Sequence, residues 1–343
     1  MLRLIKYRYL QKRKAISYKD FQCHKTFRYR NFRNTRTYSS NFICFIISLF
    51  RLAQRIVDLK GEVEMSVREI SKVVTGSNQT DGAGVKLVRV LGYANVWDFD
   101  PFLMLDAFDS ENPEDYIKGF PWHPHRGIET ITYLIHGEIE HRDSMGNQGV
   151  ILDGCCQWMT AGKAIMHQEM PKPSDRMLGV QVWLNLPKKH KMTSPQYRDL
   201  KADAIPRVEE EGCRIGIIAG SYKDHAGATV GDYVKATFLD VELTETFTWE
   251  WETNPEDNVF VYTISGEGYF GGIEKQMLPA RRAVLFKKGE ELIVTAGKHP
   301  LRMLVFAAKP LREPIAWGGP IVMNTSDEID QAFKEIRQGT FGR

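Results

Sequence analysis

Cysteine is scarce in this chain of 343 residues: there are five, Cys23, Cys44, Cys155, Cys156 and Cys213, and no two form a CxxC pair. That spacing excludes a zinc-ribbon framework and a disulfide-stapled secreted fold, and it favours a reducing, cytoplasmic address. Long apolar runs are missing too. The one clear run, Phe42 to Phe50, has nine residues, whereas a helix needs roughly 20 to cross a bilayer. No transmembrane segment is expected. Acidic residues are rare at one end only. Residues 1–64 hold 15 Lys and Arg against 4 Asp and Glu, a net +11, and residues 65–343 hold 31 against 39, a net −8. The two parts are different kinds of polypeptide. The first reads as a disordered basic tail, a targeting or nucleic-acid-binding arm, or a start-site artefact upstream of Met65. A targeting role would change the address to nuclear or organellar. The acidic body speaks against direct nucleic-acid binding by the folded part.

Helical periodicity is also absent until the last residues. From Val85 onward, short runs of Val, Ile, Thr, Tyr and Trp alternate with Gly, Asn, Asp and Pro about every ten residues, the pattern of an all-β fold. Examples are Lys86 to Leu91, Glu129 to Ile135, Gln181 to Asn185 and Asn258 to Ile264. Only Glu328 to Arg337 has a helical period, with Ser326 and Asp327 as candidate caps. An internal repeat sets the architecture. Tyr133-Leu-Ile-His-Gly-Glu138, Met159-Thr-Ala-Gly-Lys163 and Arg176-Met-Leu178 recur in order as Tyr262-Thr-Ile-Ser-Gly-Glu267, Val294-Thr-Ala-Gly-Lys298 and Arg302-Met-Leu304. Two tandem β-barrels are predicted, over 65–187 and 206–325, with a polar linker at 188–205 and a C-terminal helix within 326–343.

Five of the nine histidines fall between Gly119 and Glu169. In a strand, side chains two apart share a face, so His123 and His125 can converge on one point, as can His167 and Glu169. Three neutral imidazoles and one carboxylate suit Fe(II), Mn, Ni, Cu or Zn. An octahedral ion so held keeps two positions free for water, substrate or dioxygen. A closed tetrahedral zinc that only stiffens the barrel is the plainer alternative. Glu129 has the same parity as His123 and His125 and could compete with Glu169 for the ion. His136 and His141 read as turn or supporting groups. Cys155 and Cys156 read as small apolar residues in a strand rather than a redox pair, and Trp122 and Trp158 as walls of a pocket or as core. Counting from the repeat, the second barrel has Glu252, Asn254, Arg302 and Leu304 where the first has its candidate ligands, so only the first is expected to hold a metal.

The segments Gly119-Phe-Pro-Trp-His-Pro-His-Arg-Gly-Ile-Glu129, His141-Arg-Asp-Ser144, Gln157-Trp-Met-Thr-Ala-Gly162, His167-Gln-Glu-Met-Pro171, Pro195-Gln-Tyr197, Pro310-Leu-Arg-Glu-Pro314 and Gly319-Pro-Ile-Val-Met-Asn-Thr325 together resemble the pirin family of two-domain cupins. The resemblance spans about residues 83 to 337 and leaves residues 1–64 without a counterpart. It implies two cupin barrels, with iron in the first held by His123, His125, His167 and Glu169. It also implies an activity of the quercetin 2,3-dioxygenase type, in which a flavonol ring is opened by dioxygen and carbon monoxide leaves. Glu169 is then the candidate base for the substrate hydroxyl, and the partners are a small aromatic molecule and dioxygen. The alternative that the family carries is an iron-dependent co-regulator that binds a protein partner without turnover. A monomer is expected.

Overall fold

Runs of β-branched and aromatic residues pair into antiparallel sheets in the computed structural model, which describes residues 65–342. The basic extension and its apolar run Phe42–Phe50 lie outside the described residues. Two sheets build the first barrel. The larger has seven strands in the spatial order Gln196–Leu200, Cys156–Thr160, Ile128–His136, Met177–Asn185, Phe102–Ser110, Val85–Leu91, Ser77–Asp81. The smaller runs Phe120–His125, Ile165–Pro171, Ile139–Asp143, Gln148–Ile151. The second barrel repeats this plan. Its large sheet runs Ile70–Thr75, Arg282–Phe286, Asn258–Ser265, Leu301–Ala308, Thr237–Leu243, Cys213–Ala219, Arg207–Glu210, and its small sheet runs Thr248–Glu252, Glu291–Ala296, Glu267–Phe270, Gln276–Pro279. The chain is all-β with two tandem barrels, as the pattern predicts. No helix among the described residues is long and apolar enough to cross a membrane.

Three details depart from the sequence reading. The strand Ile70–Thr75 precedes the first barrel, yet it pairs with Arg282–Phe286 at the edge of the second. There Ile70 and Val73 pack against the second barrel's core. The predicted linker 188–205 contains the strand Gln196–Leu200, which closes the edge of the first large sheet against Cys156–Thr160. Its residues Gln196, Arg198 and Asp199 are polar on both faces and only Leu200 is buried, so no hydrophobic alternation marks it as a strand. The C-terminal helix spans Ser326–Gln338, and its cap is Thr325 rather than Ser326 or Asp327. Thr325 accepts a hydrogen bond from the Glu328 amide, and the Glu328 carboxylate accepts one back from the Thr325 amide.

Side-chain alternation divides each large sheet into two faces. Ile131, Tyr133, Val180 and Val182 of the first meet Phe238, Phe260, Leu304 and Phe306 of the second in one apolar seam. Phe102 and Phe260 lie edge to face there at 5.1 Å, and Phe260 stacks on Phe306 at 4.7 Å. The opposite faces line the barrels. The interior of the second is one continuous apolar cluster, including Val259, Val261, Leu292, Val294, Met303 and Val305. The first differs. Its interior splits into a cluster around Leu87, Phe108 and Leu134 and another around Leu103, Ile128 and Ile165. Between Ile128 and Leu134 the same strand buries Thr130 and Thr132, level with the polar side chains of His125, His167, Glu169 and Gln181. This polar layer is where the first barrel is built for chemistry.

Candidate metal centre

The strands Phe120–His125 and Ile165–Pro171 pair antiparallel and set His123 opposite His167. His125 is two residues along and shares the face. The three imidazoles have centroids 4.8 Å (His123 to His125), 4.3 Å (His123 to His167) and 5.0 Å (His125 to His167) apart. Their candidate ligand nitrogens all lie within 4.8 Å of one another. Hydrogen bonds choose which nitrogens face the centre. His123 Nδ1 is 2.8 Å from the Pro121 carbonyl and His125 Nδ1 is 3.0 Å from the Pro320 carbonyl. A carbonyl accepts only from N–H, so both rings carry the proton on Nδ1 and present bare Nε2 lone pairs. Those two Nε2 atoms stand 3.1 Å apart.

Glu169 stays outside this three-histidine group. The register slips between His167 and Glu169, so that Glu169 pairs with Phe120 instead of the residue two before His123. Its Oε1 accepts a hydrogen bond of 2.9 Å from the Thr132 hydroxyl. That hydroxyl also lies 2.5 Å from the Gln181 side-chain amide. Gln181 faces it with Oε1, so the single hydroxyl proton is shared between two acceptors, Glu169 Oε1 and Gln181 Oε1. Glu129 does not compete for the centre. The Arg126–Gly127 turn breaks the strand after His125, and parity does not carry through a turn. Glu129 faces the seam side with Ile131, where Thr160 donates to its Oε1 at 2.6 Å.

His141 is buried behind His167, their rings 5.4 Å apart, and it stacks on Tyr197 at 4.9 Å. Neither of its nitrogens has a partner within hydrogen-bond distance. His136 is at the surface, 2.7 Å from Asp153. Trp122 lines the cavity, whereas Trp158 belongs to the seam core. Cys155 and Cys156 are buried and free, and burial pushes the Cys156 thiol far up, away from a reactive thiolate.

Burial lowers the proton affinity of all three histidines. His125 falls to about 3, with His123 nearby adding to the effect; His167 falls well below the usual range, and His123 falls as well. All three are neutral near pH 7, the form a metal ligand requires. Both His167 nitrogens are buried without a hydrogen-bond partner, and an ion at the convergence point would satisfy the one that faces it. The donor set fits a divalent cation. Glu169 is pushed up to about 7 by burial, with the Thr132 hydrogen bond holding it down in part.

The cluster opens into a cavity of about 670 Å³, lined among others by His123, His125, Glu169, Trp183, Trp317 and Tyr93. Sequence reading missed Trp183, Trp317, Tyr93, Gln181 and Thr132. Gln181 and Thr132 were recoverable from strand parity, but Tyr93 and Trp317 reach the cavity from a 3-10 turn and a short hairpin that carry no periodic signal.

Two antiparallel barrels of this topology, one holding a three-histidine cluster above a cavity, define a two-domain cupin with a site of the metal-binding kind. The chain belongs to the pirin family: the Pirin family model matches residues 84–184 and that of the pirin C-terminal cupin domain matches residues 238–342. A pirin-like protein of Caulobacter vibrioides is 39% identical over 280 residues, covering 81% of this chain and 100% of its own. A crystal structure of quercetin 2,3-dioxygenase from Acinetobacter baumannii superposes with a TM-score of 0.74 at 29% identity, over 81% of this chain and 99% of that one. A bacterial pirin of Escherichia coli, solved in complex with nickel(II), shares the fold at a TM-score of 0.54 and 19% identity, over 70% of this chain and 99% of that one.

Proposed function

We propose that this pirin is a metal-dependent, ring-cleaving dioxygenase of the quercetin 2,3-dioxygenase type, with Fe(II) as its working ion. His123, His125 and His167 would hold the ion, and Glu169 completes the set either as a fourth ligand or as the base beside it. The observation that carries the reading is the convergence of three neutral imidazoles, two with their tautomer set by carbonyls, on the wall of a cavity of about 670 Å³. That volume falls in the range of about 300–1,000 Å³ usual for small-molecule sites. A purely structural metal has no need of such an opening.

A bound ion supplies Lewis acidity and a meeting point for a substrate oxygen and dioxygen. The chain's own residues do the rest. Glu169, with its carboxyl raised to about 7, is poised to take the proton of a flavonol hydroxyl near neutral pH. Thr132 fixes the carboxylate through Oε1, and the apolar and aromatic walls exclude water from the ring being opened. Dioxygen adds across the central ring, two carbon–carbon bonds break, and carbon monoxide leaves.

Oxygen uptake with quercetin by the Fe(II)-loaded chain, set beside its His123→Ala/His125→Ala variant, tests this reading. Uptake that the variant loses supports it. Bound iron with no uptake rejects it and turns the search to the protein-binding alternative, for which a partner captured in only one iron oxidation state would be the sign.

A further inference from the structure

The cavity has one wall made of rings brought together from distant parts of the chain. His125 meets Trp183 edge to face at 5.0 Å, Trp183 meets Trp317 at 5.6 Å and 34°, and Trp317 meets Tyr93 at 6.1 Å. The series begins at a candidate ligand and ends at the surface, where Tyr93 is 70% exposed. Trp122, 50% exposed, lines the same cavity. Core packing accounts for the half-buried Trp183 and Trp317, and Tyr93 adds an exposed ring to the same cavity lining.

We propose that Trp183, Trp317 and Tyr93 form a stacking wall that selects extended, uncharged, multi-ring phenols over single-ring ones. The proposal rests on the reading that the substrate is anchored at the histidine cluster. A single ring anchored there reaches no further than Trp183. A fused bicycle with a pendant ring extends along the next two steps, so each added ring gains an aromatic contact, edge-on or face-on. Charge supports the same class. The one basic side chain among the described cavity-lining residues, Arg89, is already held by Asp106 at 2.9 and 2.7 Å and by Asp81 at 2.7 Å. Beyond an ion at the histidines, the lining therefore offers no unpaired basic side chain to a charged group lying along the wall.

The test is calorimetric binding of quercetin and of catechol, a single-ring chelator, to the full Fe(II)-loaded chain without oxygen. Tyr93→Ala and Trp317→Ala should each raise the quercetin Kd about three- to tenfold and leave the catechol Kd unchanged. Trp317 also donates from Nε1 to the Gly319 carbonyl at 2.7 Å, so Trp317→Phe, which keeps a ring but loses that bond, should restore quercetin binding. Trp97→Ala removes a 65% exposed tryptophan that does not line the cavity and should change neither ligand. The proposal is overturned if quercetin and catechol weaken together, if quercetin is unaffected in the Tyr93→Ala/Trp317→Ala double variant, or if the unaltered chain binds quercetin no better than catechol. Ring-dependent quercetin binding without oxygen uptake upholds the wall while rejecting the dioxygenase reading.

Discussion

A buried imidazole is best set to serve a cation when its other nitrogen is hydrogen-bonded and burial keeps it neutral. His123 and His125 meet both conditions through the carbonyls of Pro121 and Pro320 and through burial. Glu169 is tuned in the other direction, since burial raises it and one hydrogen bond from Thr132 moderates the rise. Thr132→Val removes that bond at nearly constant volume. The Glu169 carboxyl should then rise further, and the acid limb of the quercetin rate profile should move to higher pH by about one unit; an unmoved limb would remove Glu169 from the proton step. Glu129 gives a separate test. Burial lifts its carboxyl to about 7, against the hydrogen bond from Thr160. The folded state therefore binds more protons than the unfolded one between about 4.5 and 7, and stability falls as pH rises through that window. Glu129→Gln should leave the melting temperature unchanged at pH 5 and raise it at pH 8, where the charged carboxylate costs on the order of 3 kcal/mol. Equal melting at pH 8 would show the carboxylate to be compensated. The histidines were legible in the sequence because two of them share one unbroken strand. Parity alone left Glu129 open as a competitor, because the Arg126–Gly127 turn that resets which face a residue joins has no periodic signal.

At the scale of elements, the metal-facing strand is held in place from the far end of the chain. Pro320 positions His125, Arg126 reaches Glu335 on the C-terminal helix and the Lys163 carbonyl, and Phe341 lies 4.5 Å from the Arg126 guanidinium. Beside them Lys191 is buried, with Nζ donating to the Gly127 and Val322 carbonyls at 2.8 Å and to Asn185 Oδ1. Lys191→Met keeps the stem but takes the donor from the Val322 carbonyl and Asn185 Oδ1, each worth roughly 1–3 kcal/mol, while the Gly127 carbonyl keeps the Leu186 amide at 3.3 Å. It should lower stability by about 3 kcal/mol or more, read as the denaturant midpoint. A change under 1 kcal/mol would mean the acceptors find other donors. Gly127 itself sits at φ +78°, and a Cβ there would collide with the Val322 carbonyl. Elements with strong alternation, such as Asn258–Ser265, could be read directly from the chain. Those completed by tertiary pairing could not: Gln196–Leu200 is polar on both faces, and Ile70–Thr75 finds its partner more than 200 residues away. The repeat was also misaligned in one place. Thr-Ala-Gly-Lys follows the strand Cys156–Thr160 in the first barrel but Glu291–Ala296 in the second, so the counterpart of the His167 strand is Glu291–Ala296. Short motifs at strand ends recur because tight turns need glycine, whichever strand they follow.

The two barrels share a topology but differ inside, and that difference bears on how the whole molecule responds to metal. The second barrel is filled by one apolar cluster, whereas the first gives up part of its core to a buried polar layer that includes unpartnered His167 nitrogens. With no ion bound, the first barrel should therefore be the weaker half. Its large sheet nevertheless shares the seam of Phe102, Phe260 and Phe306 with its neighbour, where truncation of one ring, as in Phe260→Ala, costs about 3–5 kcal/mol. With the seam intact the barrels should unfold together, so an ion bound in the first should stabilise both. At a free Fe(II) or Ni(II) concentration a hundredfold above Kd, binding to the folded state alone adds about 2.7 kcal/mol. For a chain of this size that moves the melting temperature up by roughly 4–5 °C. Scanning calorimetry should show one transition shifting as a whole, reversed by a chelator and absent in His123→Ala/His125→Ala. A shift that survives in the double variant would place the ion elsewhere. A transition that splits on metal addition, its lower part unmoved, would show that the seam is too weak to transmit the gain, and Phe260→Ala should produce that split by design.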